Sequence, residues 1–130
     1  MLVEGQEALS SYVRLCLTMT GKVLADRRED AINFVAAEMD ALHFAVTHRT
    51  ETIALTRETI HAKSDDVRPA YAFDDTLKRH AIDPAAALPL DKLAWMQNEL
   101  VKAGSLKVPI NLATITDAAI RDEAVKRTNK

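Results

Sequence analysis

Asp26-Arg-Arg-Glu-Asp-Ala-Ile-Asn-Phe-Val-Ala-Ala-Glu-Met-Asp-Ala-Leu-His-Phe-Ala-Val-Thr-His48 holds no glycine and no proline. Ile32, Val35, Met39, Leu42 and Val46 follow one another at steps of three or four residues. That spacing puts all five on one face of a helix. Asp26 has the side chain to accept from the first free backbone N–H groups, and Glu29 can reach back, which reads as a capping box. Phe34, Ala37, Ala41, Phe44 and Ala45 form a second apolar edge. A helix with two apolar edges must be covered on more than one side, so this segment is the expected centre of the fold.

The flanking sequence reads mainly as helix. With 3 glycines and 4 prolines in 130 residues, helices are favoured over a turn-rich β sandwich. Thr50 is placed to cap a segment through Lys63, with Ile53, Thr56 and Ile60 inward. Ser64-Asp65-Asp66 is a break and a new cap, and Pro69 suits the first turn of the helix that follows to His80. Pro84 and Pro89 bracket a connector and hold Asp83 and Leu88 extended. From Pro89 to Ala103, Leu90, Leu93, Ala94, Gln97, Leu100 and Val101 share a face. Gly104 stands where a left-handed cap is wanted. Leu106, Val108 and Ile110 alternate as in an extended segment. Thr116 is placed to cap a last helix with Ile120, Ala124 and Val125 inward.

Tyr12 to Thr20 differs. Val13, Leu15, Leu17 and Met19 alternate with Arg14, Cys16 and Thr18, the period of a half-buried strand. A helical face of Leu9, Val13, Cys16 and Leu17 is the alternative. A lone strand needs a partner from elsewhere, because its edge is unpaired. The expectation is thus a mainly α domain over 1–130, five or so helices around the central one, with one N-terminal strand.

Composition narrows the function. Hydrophobic residues make up 48% and charged residues 28%, as in a folded chain, and the net charge of -2 carries no basic stripe for nucleic acid. Cys16 is the only cysteine, which excludes an internal disulfide and a cysteine-built zinc site. Its apolar neighbours point to a buried or partly buried thiol rather than a nucleophile. Glu58-Thr-Ile-His61 has the Glu-x-x-His spacing of di-iron bundles, but no second copy occurs. His43 suits a hydrogen-bonded boundary position, and His48 and His80 suit helix C-termini. The three glycines are too dispersed for a phosphate loop, and Trp95 with Met96 reads as helix packing. No catalytic constellation, metal site or cofactor site is expected. No segment has the length of a membrane span or the pattern of a signal peptide.

The order of elements resembles a family. Val13-Arg-Leu-Cys-Leu-Thr18, a short turn, and Arg28-Glu-Asp-Ala-Ile-Asn-Phe-Val-Ala-Ala37 are similar to the strand and "P-E-x-V-x-x-F-x-x-A" helix of type II solute-binding proteins of ABC transporters, in the nitrate, sulfonate, taurine and thiamine-pyrimidine group. Arg28 stands where proline is usual. Ile82-Asp83, Leu93, Met96, Leu100, Val101 and Gly104-Ser-Leu106 resemble the late helix of that family. Pro109 and Thr116-Asp117 resemble its closing segment. The resemblance runs from about Tyr12 to Val125 and implies the C-terminal part of a two-lobed binding protein, a partial domain. It implies no enzyme activity, capture of a small anion or heterocycle, an ABC permease as partner and a periplasmic site of action. A chain naturally starting at Met1 would instead be cytoplasmic. Tyr12 and Arg14, on the return strand, are then the candidate ligand-binding residues, an arginine fork suiting a sulfonate or carboxylate. The second functional reading is a small helical module that associates with itself, as a homodimer through the N-terminal strand and the central helix.

Overall fold

The structure, a computed structural model, describes residues 11–13 and 16–128. Six α-helices hold most of them, with 62% helix and no strand among the described residues. The helices are α1 Gly21–Asp26, α2 Arg28–Thr47, α3 Arg49–Thr59, α4 Arg68–Lys78, α5 Leu90–Lys102 and α6 Ala118–Val125, with a 3-10 turn at Leu112–Thr114. They fall into two compact units. One holds the described residues up to Asp26 together with Leu88–Ala118. The other holds Arg27–Ala87 and the chain from Ala119 onward.

The second unit contains every fully buried residue among those described. Its core is the expected face of α2. Ala31, Ile32, Val35, Ala36 and Met39 are buried, and Leu42 and Val46 are half-buried. Ile53 of α3 and Ile120 and Ala124 of α6 complete it. Arg127, just past α6, donates to Asn33 Oδ1 at 2.7 Å and to Glu29 Oε2 at 2.9 Å, tying the end of the chain to α2.

The start of α2 departs from the expected capping box. Asp26 is itself the last residue of α1, and its carboxylate is held by Lys22 one turn back. A helical residue cannot take the non-helical backbone that an N-cap needs. Arg27 occupies the cap position without a side-chain cap bond, and its Nε donates to Asp30 Oδ2 at 2.8 Å. Glu29 and Asp30 still favour the first turn through the helix dipole.

His48 closes α2 and opens α3. Its N–H donates to Phe44 O at 2.9 Å, and its ring stacks on Phe44 at 4.1 Å between centroids. Thr50 is therefore inside α3 rather than capping it. Thr52 Oγ1 donates to Ala45 O at 3.0 Å and joins the two helices. Arg49 grips Asp74 of α4 through two 2.8 Å bonds, which holds the Asp74 carboxyl below the usual range. Asp66 does act at the start of α4. Its Oδ1 accepts from the Arg68 N–H at 2.9 Å, and Pro69 occupies the first turn as expected. The Arg68 guanidinium and N–H lower the Asp66 carboxyl to about 2.

Three helices end alike. After α5, Gly104 is left-handed with φ 75°, its N–H reaches Val101 O, and Ser105 N–H reaches Leu100 O. His61 after α3 and His80 after α4 repeat this double bond at φ 51° and 50°. This is the Schellman closure, in which glycine avoids the left-handed cost of an L side chain. Replacing His80 with glycine is therefore expected to stabilise the unit by about 0.5–1 kcal/mol after the entropy lost to glycine. The unfolding midpoint in a thermal melt should rise by about 2–4 °C. His61→Gly should behave alike.

In the first unit no described residue is fully buried. Gln97 Oε1 of α5 accepts from the Ile110 N–H at 2.9 Å. The extended alternation at Leu106–Ile110 thus makes a side-chain-anchored loop, not a strand. Thr116 lies two positions before the first residue of α6, Ala118. Its hydroxyl donates back to Leu112 O at 2.8 Å and closes the 3-10 turn. Tyr12, Val13 and residues 16–20 carry no regular secondary structure, while Arg14 and Leu15 lie outside the described residues. None of the described residues pairs with this stretch as a strand.

Candidate functional site

The candidate site is built by α2 and α3. The exposed edge of α2 carries Phe34, 51% accessible, with Ala37, Ala41 and Phe44 below it. Across from Ala41, Phe44 and Ala45 stand Thr52 and Leu55 of α3 and Ile60 just beyond it. Together these frame an open groove of about 420 Å³. Leu55 and Ile60 are 56% and 55% accessible. Ile60 was expected to face inward. It lies past the last turn of α3, as its C-cap, and so leaves the inward face.

The groove is apolar for a local reason. Thr52 Oγ1 is spent on Ala45 O, Thr56 Oγ1 donates to Thr52 O at 2.8 Å and Thr59 Oγ1 to Leu55 O at 2.8 Å. Each hydroxyl satisfies a backbone carbonyl, leaving its methyl as the outward surface. No ionisable side chain lines the groove. Such a wall suits an apolar side chain and offers an anion no donor. Phe44 cannot turn away without losing its stack on His48.

The residues singled out in the sequence do not converge. Tyr12 is exposed and sits in the other unit, and Arg14 lies outside the described residues. Cys16 is exposed, not buried or partly buried as its apolar neighbours suggested. Glu58 lies in the last turn of α3 while His61 sits beyond the helix in a left-handed conformation, so the pair does not share a helical face. His43 is exposed. Among the described residues no group of three or more His, Cys, Asp or Glu side chains is placed to hold a metal ion. No helix among them is long and apolar enough to cross a membrane. Half of the site, the second edge of α2, was legible as periodicity. The share of α3 was not, because Leu55 lies off the face of Ile53, Thr56 and Ile60 that was expected to turn inward. The threonine methyls become apolar surface only once the hydroxyls are bonded.

Comparison with protein-family models, with curated proteins and with solved structures finds no match.

Proposed function

We propose that the chain is a helical interaction module that associates with another copy of itself through the exposed face of α2 and α3. The observation behind this reading is the contiguous apolar surface from Phe34 to Ile60, with a groove that carries no ionisable group. Large unpartnered apolar surfaces mark association sites. Each of Phe34, Phe44, Leu55 and Ile60 has about half of its side chain still to bury. At 1.5–3 kcal/mol for a full side chain, this is roughly 1 kcal/mol apiece. Light scattering of the chain over a dilution series tests the reading. A dimer mass that falls on dilution is expected, and a compact monomer at every concentration overturns it.

A second reading follows the resemblance to solute-binding proteins. In it the chain is scaffold and hinge of a larger binding protein that delivers a small anion or heterocycle to an ABC permease in the periplasm. Tyr12 and Arg14 stand beside the ligand. Its support is the order of elements: the long helix Arg28–Thr47, then the late helix closed at Gly104, then the last helix after Thr116. The apolar edge of α2 then covers a sheet from the remainder of the lobe. Titration with taurine, nitrate and a thiamine-type pyrimidine, monitored by calorimetry, should show binding to a chain extended by that lobe and none to the 130 residues alone. Absence of binding by both overturns it.

A further inference from the structure

Along the exposed edge of α2 the side chains are Asp30, Phe34, Ala37, Ala41, Phe44 and His48, at steps of 4, 3, 4, 3 and 4. All six are exposed. The series is a palindrome in size about position 39, with phenylalanine outside alanine on both sides. Its two ends can pair by hydrogen bonding, with a carboxylate acceptor at one and an imidazole at the other.

A two-fold axis makes one patch its own partner: if residue i touches residue j of the second copy, then j touches i. Laid antiparallel across a second α2 with the axis at position 39, the stripe places Ala37 over Ala41 of the other copy, Phe34 over Phe44 and Asp30 over His48. The small central residues let the backbones approach closely. We infer that a second copy of the chain docks antiparallel on α2, with the Phe34 ring of each copy seated in the groove between α2 and α3 of the other. The inference rests on the self-association proposed above and specifies its geometry.

Three observations support this occupant. The groove sits at the Phe44 end of the stripe, beside Ala41 and Ala45, where the opposing Phe34 arrives. It has no charged lining, as an inserted aromatic ring requires. An antiparallel pair sets the acidic first turn of α2, Glu29 and Asp30, against the end closed by His48. A parallel pair would set Asp30 against Asp30. Within one chain Asp30 and His48 are 18 positions apart, about 27 Å along a helix, so coupling between them can arise only between copies. In its own chain Asp30 meets Arg27 through Oδ2.

A charge exchange tests this. In dilution light scattering, Asp30→Arg and His48→Asp should each weaken the dimer about tenfold, two exposed pairs being changed per dimer. The double variant, which sets opposite charges over one another only in the antiparallel register, should return to within about threefold of the original. A double variant weaker than either single one, or three variants with unchanged association, overturns the register while self-association stands. A monomeric original chain overturns both. If the charge variants lose helicity, a spin label on Thr47→Cys in a Cys16→Ser background replaces them. The antiparallel pair separates the two labelled positions by about 24 Å along the axis. Side-by-side helices of a parallel pair would hold them about 10 Å apart, and that shorter distance overturns the inference.

Discussion

Replacing Ile32 with alanine is expected to destabilise the helical unit by about 2–5 kcal/mol. Ile32 is 3% accessible on the inner edge of α2, in the core shared with Ile53 of α3 and with Ile120 and Ala124 of α6. Truncation removes its methyl and methylene groups from that core and leaves a cavity. The surrounding helices cannot close it readily, because Arg127 pins the last turn to Asn33 and Glu29. Folded domains are stable by only about 5–15 kcal/mol, so the loss is a large share. Urea unfolding followed by circular dichroism should show a lower midpoint with an unchanged slope. Phe34→Ala, two positions away, is the control. Its ring is half in solvent, so at concentrations where the chain is monomeric the midpoint should move by less than about 1 kcal/mol. If the two substitutions cost the same, the division of α2 into an inner and an outer edge is wrong.

Ala41→Glu should convert the proposed dimer to monomer over the whole concentration range of a light-scattering series. Ala41 is exposed at the middle of the outer edge, beside the groove. In the monomer the new carboxylate stays in water, and glutamate is a good helix former, so the fold and the circular dichroism spectrum should be preserved. In the dimer two carboxylates would enter an apolar contact with no partner. Such burial costs several kcal/mol for each unpaired group, which corresponds to a loss of at least about 1000-fold in association. Ala41→Ser, small and able to bond back to a carbonyl of the preceding turn, should keep most of the association. Retention of the dimer by Ala41→Glu would move the contact off this face.

The two edges of α2 show how far sequence reasoning reached. Its inner edge was legible because Ile32, Val35 and Met39 obey a single period, and burial follows from that period whenever any partner helix is present. The exposure of the outer edge was not determined in this way. Periodicity marks Phe34 and Phe44 as apolar, but it cannot say whether another element covers them. Helix ends were read with mixed success for a similar reason. Gly104 announces a left-handed closure through its own chemistry. His61 and His80 adopt the same closure because their backbone N–H groups find carbonyls in the preceding turn. Asp26 has the side chain of a cap, yet α1 absorbs it into a helix and Lys22 takes its carboxylate.

The N-terminal stretch is the opposite case. Alternation from Val13 to Met19 suits a strand, but a strand is a relation between two segments. None of the described residues supplies the second. Cys16 and Tyr12 are exposed, although the apolar neighbours of Cys16 pointed to a buried or partly buried thiol.

By itself the sequence determined the mainly helical character, the long α2, its inner face and the glycine-closed end of α5. These depend on interactions within a few residues, where spacing is geometry. The tertiary structure decided which apolar edge stays open, which threonine hydroxyls are spent on backbone and therefore that an uncharged groove lies between α2 and α3. Those properties depend on how far apart two helices pack and on what remains uncovered, and no local pattern encodes either.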